Sequence, residues 1–355
     1  MKKRIIVYFA ITTVFIYGFT GCKPTEHHVD ITVSPEAGTN YKSGDPVTVK
    51  ANYPNDLKPD SIVFLVDSAK VATKKDSTPF ILKTDSYSLG PRIITARIFS
   101  QGKSTEATTN IVLLAAKAPE QYTYVVERKF PHDTSSYTEG LEYHDGYLYE
   151  STGLNGNSKM LKVDLQTGKA LQSIKLDKKY FGEGFTIVGD KIMQLTYREK
   201  TGFVYDKKTF KTLKTFSYNT GVEGWGVCND GTKIYTDDST NRIWFLDLND
   251  YHNIGFVDVY DDQKQIDEVN ELEYINKKIY ANVYTQDTIL VVNPKTGAVE
   301  QRVDMKNLWP LKDRPSGFDN TQNVLNGIAW DELGKRLFVT GKKWPYVYQV
   351  RFVKK

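Results

Sequence analysis

The stretch Glu183-Gly-Phe-Thr-Ile-Val-Gly-Asp-Lys-Ile192 carries a short apolar run, a polar turn at Gly189-Asp190, and the start of a second apolar run. Two β-rich segments on either side of a tight Gly/Asp turn read as a hairpin. The same pattern recurs as Glu139-Gly-Leu-Glu-Tyr-His-Asp-Gly-Tyr-Leu148, Trp225-Gly-Val-Cys-Asn-Asp-Gly-Thr-Lys-Ile234, Asn270-Glu-Leu-Glu-Tyr-Ile-Asn-Lys-Lys-Ile279 and Asn326-Gly-Ile-Ala-Trp-Asp-Glu-Leu-Gly-Lys-Arg-Leu337. The five starts are 44, 42, 45 and 56 residues apart. In the first four, a further hairpin follows, marked by Val163-Asp164, Tyr205-Asp206, Leu246-Asp247 and Val292-Asn293. Four strands in a period near 45 residues are what one blade of a β-propeller requires. Five repeats predict five blades. The fifth runs out after Tyr346–Val353, so Tyr122–Lys129 is expected to supply its outer strand and close the ring, which removes an exposed edge.

Outward from the repeats, residues 29–116 read as short alternating strands: Val29–Val33, Pro46–Lys50, Ser61–Val66 and Arg92–Ile98. Turn residues such as Pro35, Gly44-Asp45, Pro54 and Gly90-Pro91 separate them. This predicts a small immunoglobulin-like sandwich acting as a spacer, with Ala115–Pro119 as the linker. The domain plan is thus 1–21 leader, 22–28 tether, 29–116 sandwich and 120–355 propeller, an all-β chain throughout. Its 23 Tyr and 17 Phe against 4 Met agree with that class.

Lys2-Lys3-Arg4 followed by the apolar run Ile5–Phe19 and then Gly21-Cys22 has the form of a signal segment ending in a bacterial lipobox. The run is too short for a comfortable membrane span. Lipidated Cys22 would hold the protein on the cell envelope, at the outer membrane or facing the periplasm, through its acyl chains. Cys228 is expected as a buried core thiol. Loss of the leader leaves 44 basic against 43 acidic side chains. A near-neutral chain without a basic block argues against nucleic-acid binding. Two cysteines exclude a disulfide framework or a Cys-based zinc cluster, and the scattered His132, His144 and His252 offer no zinc site.

Aligned on the repeat, Glu139, Glu183, Trp225, Asn270 and Asn326 are equivalent and should lie at one mouth of the channel. Across each hairpin, Gly153, Tyr197, Ser239, Tyr284 and Lys342 form a second ring. Two carboxylates, two amides, an ammonium and three aromatic rings make a pocket composition. Ordinary turn chemistry and channel packing would explain any one position alone; their joint occurrence at equivalent positions favours a site. With no nucleophile elbow or phosphate-binding glycine loop, carboxylate acid/base work in an aromatic pocket remains. The segment Met305–Asn323, between the last two repeats, reads as a surface loop rather than a lid.

At these residues the chain resembles the glutaminyl-peptide cyclotransferases of the plant, papaya-latex type, which also have bacterial members. The resemblance rests on Phe130-Pro-His-Asp133, Tyr137-Thr-Glu-Gly-Leu141, Leu148-Tyr-Glu-Ser-Thr-Gly-Leu154, Tyr180-Phe-Gly-Glu-Gly184, Gln194-Leu-Thr196 and Gly202-Phe-Val-Tyr-Asp206. It continues through Gly224-Trp-Gly226, Asn270-Glu-Leu-Glu273, Ala281-Asn-Val283, Val324-Leu-Asn-Gly-Ile-Ala329 and Val339-Thr-Gly-Lys342. The resemblance implies a five-bladed propeller that converts the N-terminal glutamine of peptides and proteins to pyroglutamate with release of ammonia. It implies Glu183 as the acid/base, with Asn270 and Lys342 also catalytic, and Phe130, Glu139, Phe181 and Trp225 at the pocket. Where the family commonly has Trp after Gln-Leu-Thr and Ala-Asn-Val, this chain has Tyr197 and Tyr284, which puts substrate preference in question. No cofactor is expected, a structural Ca²⁺ in the channel stays open, and the protein is expected as a monomer. Two other readings compete: a non-catalytic envelope propeller binding a peptide or glycan, and a metal-dependent lactonase-like hydrolase using Glu139, Glu183, Asn270 and Asn326 as ligands.

Overall fold

The computed structural model describes residues 30–355; the leader and Cys22 lie outside the described residues. It is all-β apart from one 3-10 turn at Leu311–Asp313. Residues 30–114 form two sheets. Thr32–Ser34, Val47–Asn52 and Phe80–Leu82 make the smaller. The larger runs in the order Thr39–Lys42, Lys103–Leu114, Gly90–Ser100, Ser61–Val66, Ala69–Lys74, with its first pair parallel. Alternate residues point between the sheets: Val47, Val49, Ile62, Phe64, Ile94, Ala96, Ile111 and Leu113 are all buried in one core, as the period-2 pattern requires. The long strand Lys103–Leu114 was not expected, because its first half, Lys-Ser-Thr-Glu-Ala-Thr, is polar and exposed. It forms because it pairs along its whole length with Gly90–Ser100.

The remaining chain is propeller-like. Three four-stranded antiparallel sheets begin at Thr138, Gly182 and Val227, each in sequential order. An eight-stranded sheet contains the last two four-strand runs. In it Glu120–Pro131 pairs antiparallel with Tyr346–Lys354, so the start of the domain completes its final run. The same strand also pairs in parallel with Val299–Asp304, which fuses the two runs into one sheet. The innermost strands Thr138–His144, Gly182–Val188, Val227–Asn229, Val269–Ile275 and Leu325–Asp331 contact one another in cyclic order, the last touching the first. Cys228, on the innermost strand Val227–Asn229, is buried in the core.

Each innermost strand has one side without a strand partner, yet most of its residues are buried. Carboxylates from other runs take that place. The Glu271 carboxylate accepts from the Leu141 N–H at 3.0 Å and the Ile328 N–H at 2.8 Å. Glu142 accepts from Ile187 N–H at 2.8 Å, and Glu273 from Trp330 N–H at 2.9 Å. Burial raises the pKa of all three, Glu142 to about 8. These carboxyls join the inner strands where hydrogen-bond ladders cannot, since a buried N–H left unpaired is costly. Glu271→Ala is therefore expected to strip two buried N–H groups of their acceptor. Urea unfolding should show a loss of about 2–6 kcal/mol, with a smaller loss for Glu271→Gln.

The segment 305–323 is mostly exposed and irregular, as the sequence suggested, but it is anchored to the core. Trp309 is buried, edge-on to Phe318 at 4.9 Å and Trp344 at 5.6 Å, and Arg314 donates to the Trp309 carbonyl. Apolar packing holds the segment down.

Candidate active site

At the repeat-equivalent positions the strand register slips. Thr138 and Gly140 face Thr152 and Ser151, leaving Glu139 as an extra residue. Glu183-Gly184, Asn270-Glu271 and Asn326-Gly327 are likewise placed where the pairing jumps by one residue. Such bulges re-aim side chains and are common beside active sites. Here they turn the carboxylates and amides off the sheet and towards the axis. Two glycines after them are demanded by crowding: a Cβ on Gly184 would sit 2.4 Å from the Trp225 carbonyl oxygen, and one on Gly226 2.2 Å from that of Asn270. The inner strands approach too closely there for any side chain.

A cavity of about 260 Å³ opens at this mouth, lined by Glu139, Phe181, Glu183, Tyr197, Trp225, Asn270, Tyr284 and Lys342, together with Tyr137, Leu154 and Gln322. Eight of the expected residues are thus brought together from all five runs. Glu183 is 4% exposed. Its main chain is fixed from behind by a relay in which Tyr205 donates to Gln194, Gln194 to Ser151, and the Ser151 hydroxyl to the Glu183 carbonyl. Burial, reinforced by the charge of Glu139, lifts its carboxyl well above the ordinary range. Among the described residues none donates a hydrogen bond to that carboxyl.

Lys342 meets Glu139 at 2.6 Å, both side chains no more than 5% exposed. Burial raises the Glu139 carboxyl despite Lys342. Burial opposes the Lys342 charge, but Glu139, Tyr137 and Glu183 outweigh it and hold the ammonium above its usual range. The ammonium also lies 4.6 Å from the centre of the Tyr137 ring and 5.5 Å from that of Tyr284. Around these charges stand rings in tilted or edge contact, Phe181 with Tyr197 and Trp225 with Tyr284, each pair at 5.6 Å. The Trp225 indole donates to Glu223 at 3.0 Å, and Glu223 is gripped by Arg198 at 2.9 and 2.6 Å. Burial pushes the Tyr137 and Tyr197 hydroxyls up to about 12, so both stay protonated.

Four expected positions fall elsewhere. Phe130, expected at the pocket, does not line it. It is 2% exposed and packs edge-on against Phe338 at 5.9 Å, in a core with Leu141 and Leu148. Its strand is the last of a run, away from the axis, so its side chain fills the space between sheets. Asn326 is fully buried one step behind the cavity, where its amide donates to the Thr138 carbonyl at 2.9 Å and touches Glu139 at 3.5 Å. Gly153 has no side chain to offer, and the ring of Phe181 occupies the place of its missing Cβ. Ser239 does not reach the cavity lining.

Three lining residues were missed. Tyr137 lies just before the strand Thr138–His144, and the bulge at Glu139 hides it from the alternation. Leu154 follows the ring position Gly153. Gln322 belongs to the segment after the fourth run and carries no repeat signal; its carbonyl accepts from the Tyr137 hydroxyl at 3.3 Å. No histidine lines the cavity. His132 is buried between Glu150 and the Trp344 carbonyl. Among the described residues, Asp247, Asp250 and His252 are the trio close enough to share a metal ion, and none of them lines the cavity.

The sequence model of the family described as glutamine cyclotransferase matches residues 94–352. It starts inside the strand Gly90–Ser100, earlier than the quoted blocks. A glutaminyl-peptide cyclotransferase of Arabidopsis thaliana is 38% identical over 234 residues, 64% of this chain and 70% of the relative. The crystal structure of Myxococcus xanthus glutaminyl cyclase superposes with a TM-score of 0.62 at 29% identity, covering 67% of this chain and 99% of that one. A match over most of the chain, a relative at this identity and a superposing structure agree: the chain belongs to the glutamine cyclotransferase family.

Proposed function

We propose that the protein is a glutaminyl-peptide cyclotransferase, closing the N-terminal glutamine of a peptide to pyroglutamate with release of ammonia. The observation that carries this reading is Glu183. It is a buried carboxyl with a raised pKa, with no hydrogen-bond donor on it among the described residues, in an aromatic cavity beside the Glu139–Lys342 pair. The reaction needs no protein nucleophile. The substrate's own α-amine attacks Cδ of its side-chain amide, forming the ring N–C bond. Holding the chain curled for that attack is itself a large acceleration. Glu183 takes a proton from the attacking amine; the amide oxygen becomes an oxyanion, which Asn270 or Lys342 stabilises. Glu183 then returns its proton to the departing nitrogen as the C–N bond breaks and ammonia leaves. A carboxyl raised towards neutrality suits both steps. Glu139 faces the substrate amine, and Trp225, Tyr197, Tyr284 and Phe181 wall in the glutamine side chain.

The proposal extends to the whole chain. The four-strand runs are read as five blades, and residues 29–116 as an immunoglobulin-like spacer. Cys22 is read as a lipid anchor on a bacterial envelope, and the protein as a monomer that works without a metal. Repeat spacing, the two-sheet core and the lipobox pattern support these parts. Ammonia release and pyroglutamate formation from a short peptide with N-terminal glutamine, after treatment of the protein with EDTA, tests the reaction. Turnover that survives chelation is expected. Folded protein that releases no ammonia would overturn the reading, and calcium-dependent lactone hydrolysis would replace it.

A further inference from the structure

The cavity of about 260 Å³ has room for a glutamine side chain and its α-amine, and the rest of a peptide must leave through the mouth. Beside that mouth is a second, larger hollow of about 440 Å³. Leu154 lines both. The same three chain segments build the two walls: Ser136 and Tyr137, Thr152 and Leu154, Lys343 and Lys342 face one hollow or the other. The second hollow differs in chemistry. In place of aromatic rings it has hydroxyls, the Asn157 amide and two ammonium groups, Lys159 and Lys343, against the single carboxylate of Asp133. Asp133 is already engaged by the Ser135 N–H at 2.9 Å. Neither lysine forms an ion pair among the described residues, and both are half-buried. Lys343 is set in place by its own N–H, which donates to the Ser136 carbonyl at 2.7 Å.

We propose that this hollow is the subsite for the residues that follow the N-terminal glutamine, and that Lys159 and Lys343 make it select peptides acidic at the second and third positions. The proposal rests on the cyclisation reading above. Two partly solvated ammonium groups give a modest preference, because exposed ion pairs are individually weak. They would attract an acidic segment and repel a basic one.

The experiment compares kcat/KM for Gln-Glu-Glu and Gln-Lys-Lys peptides at low salt. A ratio of about fivefold in favour of the acidic peptide is expected. It should fall towards one in 0.5 M salt, where the Debye length is about 4 Å, and in the Lys159→Gln/Lys343→Asn variant. Asn suits position 343 because its φ is +59°. Calorimetric binding of the products pyroglutamyl-Glu-Glu and pyroglutamyl-Lys-Lys gives a readout that needs no turnover, with the acidic product binding more tightly by a similar factor. Equal ratios for the two peptides, or a preference that persists in the double variant, would overturn the subsite. Absence of ammonia from every peptide would overturn the cyclisation reading instead. The product-binding comparison then still decides the subsite, and equal binding of the two products would sink it.

Discussion

Glu183→Gln is expected to fold as the wild type does and to lose about 10³-fold in kcat/KM for a glutaminyl peptide. Positioned acid/base groups contribute on the order of 10²–10⁴. The amide fits where the carboxyl was, and the relay from Ser151 holds the backbone of residue 183, which the substitution leaves intact. The variant keeps the aromatic walls and the Glu139–Lys342 pair, so substrate should still bind. What it loses is the group that moves the proton. Stability should shift the other way. The folded-state pKa of Glu183 is raised above its unfolded value. Its contribution is therefore fully present below the unfolded carboxyl pKa and is lost as pH rises through the folded pKa. Gln does not titrate, so the variant should lose less Tm than the wild type between pH 5 and pH 9. A folded Glu183→Gln protein with near-wild-type turnover would end the assignment of Glu183 as the proton carrier.

Lys342→Met is expected to produce the largest loss of stability among the cavity residues. It leaves Glu139 buried without its cation and close to the second carboxyl, Glu183. Breaking one partner of a buried ion pair typically costs about 3–5 kcal/mol. In the double variant Glu139→Gln/Lys342→Met no uncompensated charge remains, and most of that loss should be recovered. Activity should not return if Lys342, as proposed, helps to stabilise the oxyanion. Urea midpoints of the two single variants and the double variant measure the coupling directly. Strictly additive losses would mean that the 2.6 Å contact contributes nothing beyond its parts.

The two results separate chemistry from architecture at one mouth of the channel. Glu183 has a raised pKa and no hydrogen-bond donor among the described residues, and is expected to cost activity alone when changed. Lys342 and Glu139 come from the last and first runs. Their pairing thus helps close the ring as well as furnishing the site.

Much of this is legible in the sequence. The period near 45 residues, the inner hairpins and the closing role of the strand around residues 122–129 follow from alternation and turn residues, which are local. The cavity positions Glu139, Glu183, Trp225, Asn270, Tyr197, Tyr284 and Lys342 were legible too, because equivalent positions in a repeat share a register and hence a direction. The bulges at Glu139, Glu183 and Asn270 were not read from the sequence, but they recur at the same place and so preserve the equivalence. Phe130 was placed at the pocket by the family resemblance, but an apolar residue in a strand has two faces to choose from. Only its contact with Phe338 shows that it took the one away from the cavity.

What the sequence determined by itself was the set of side chains presented at one end of the repeats, since hydrophobic period and turn chemistry act over a few residues. What only the tertiary structure decided was which of them share a space. The pairing of Lys342 with Glu139, the withdrawal of Asn326 behind that pair, the entry of Gln322 and the support of inner strands by Glu271 all join residues far apart in the chain. Each depends on closure of the ring, and burial inside it sets the protonation on which the chemistry turns.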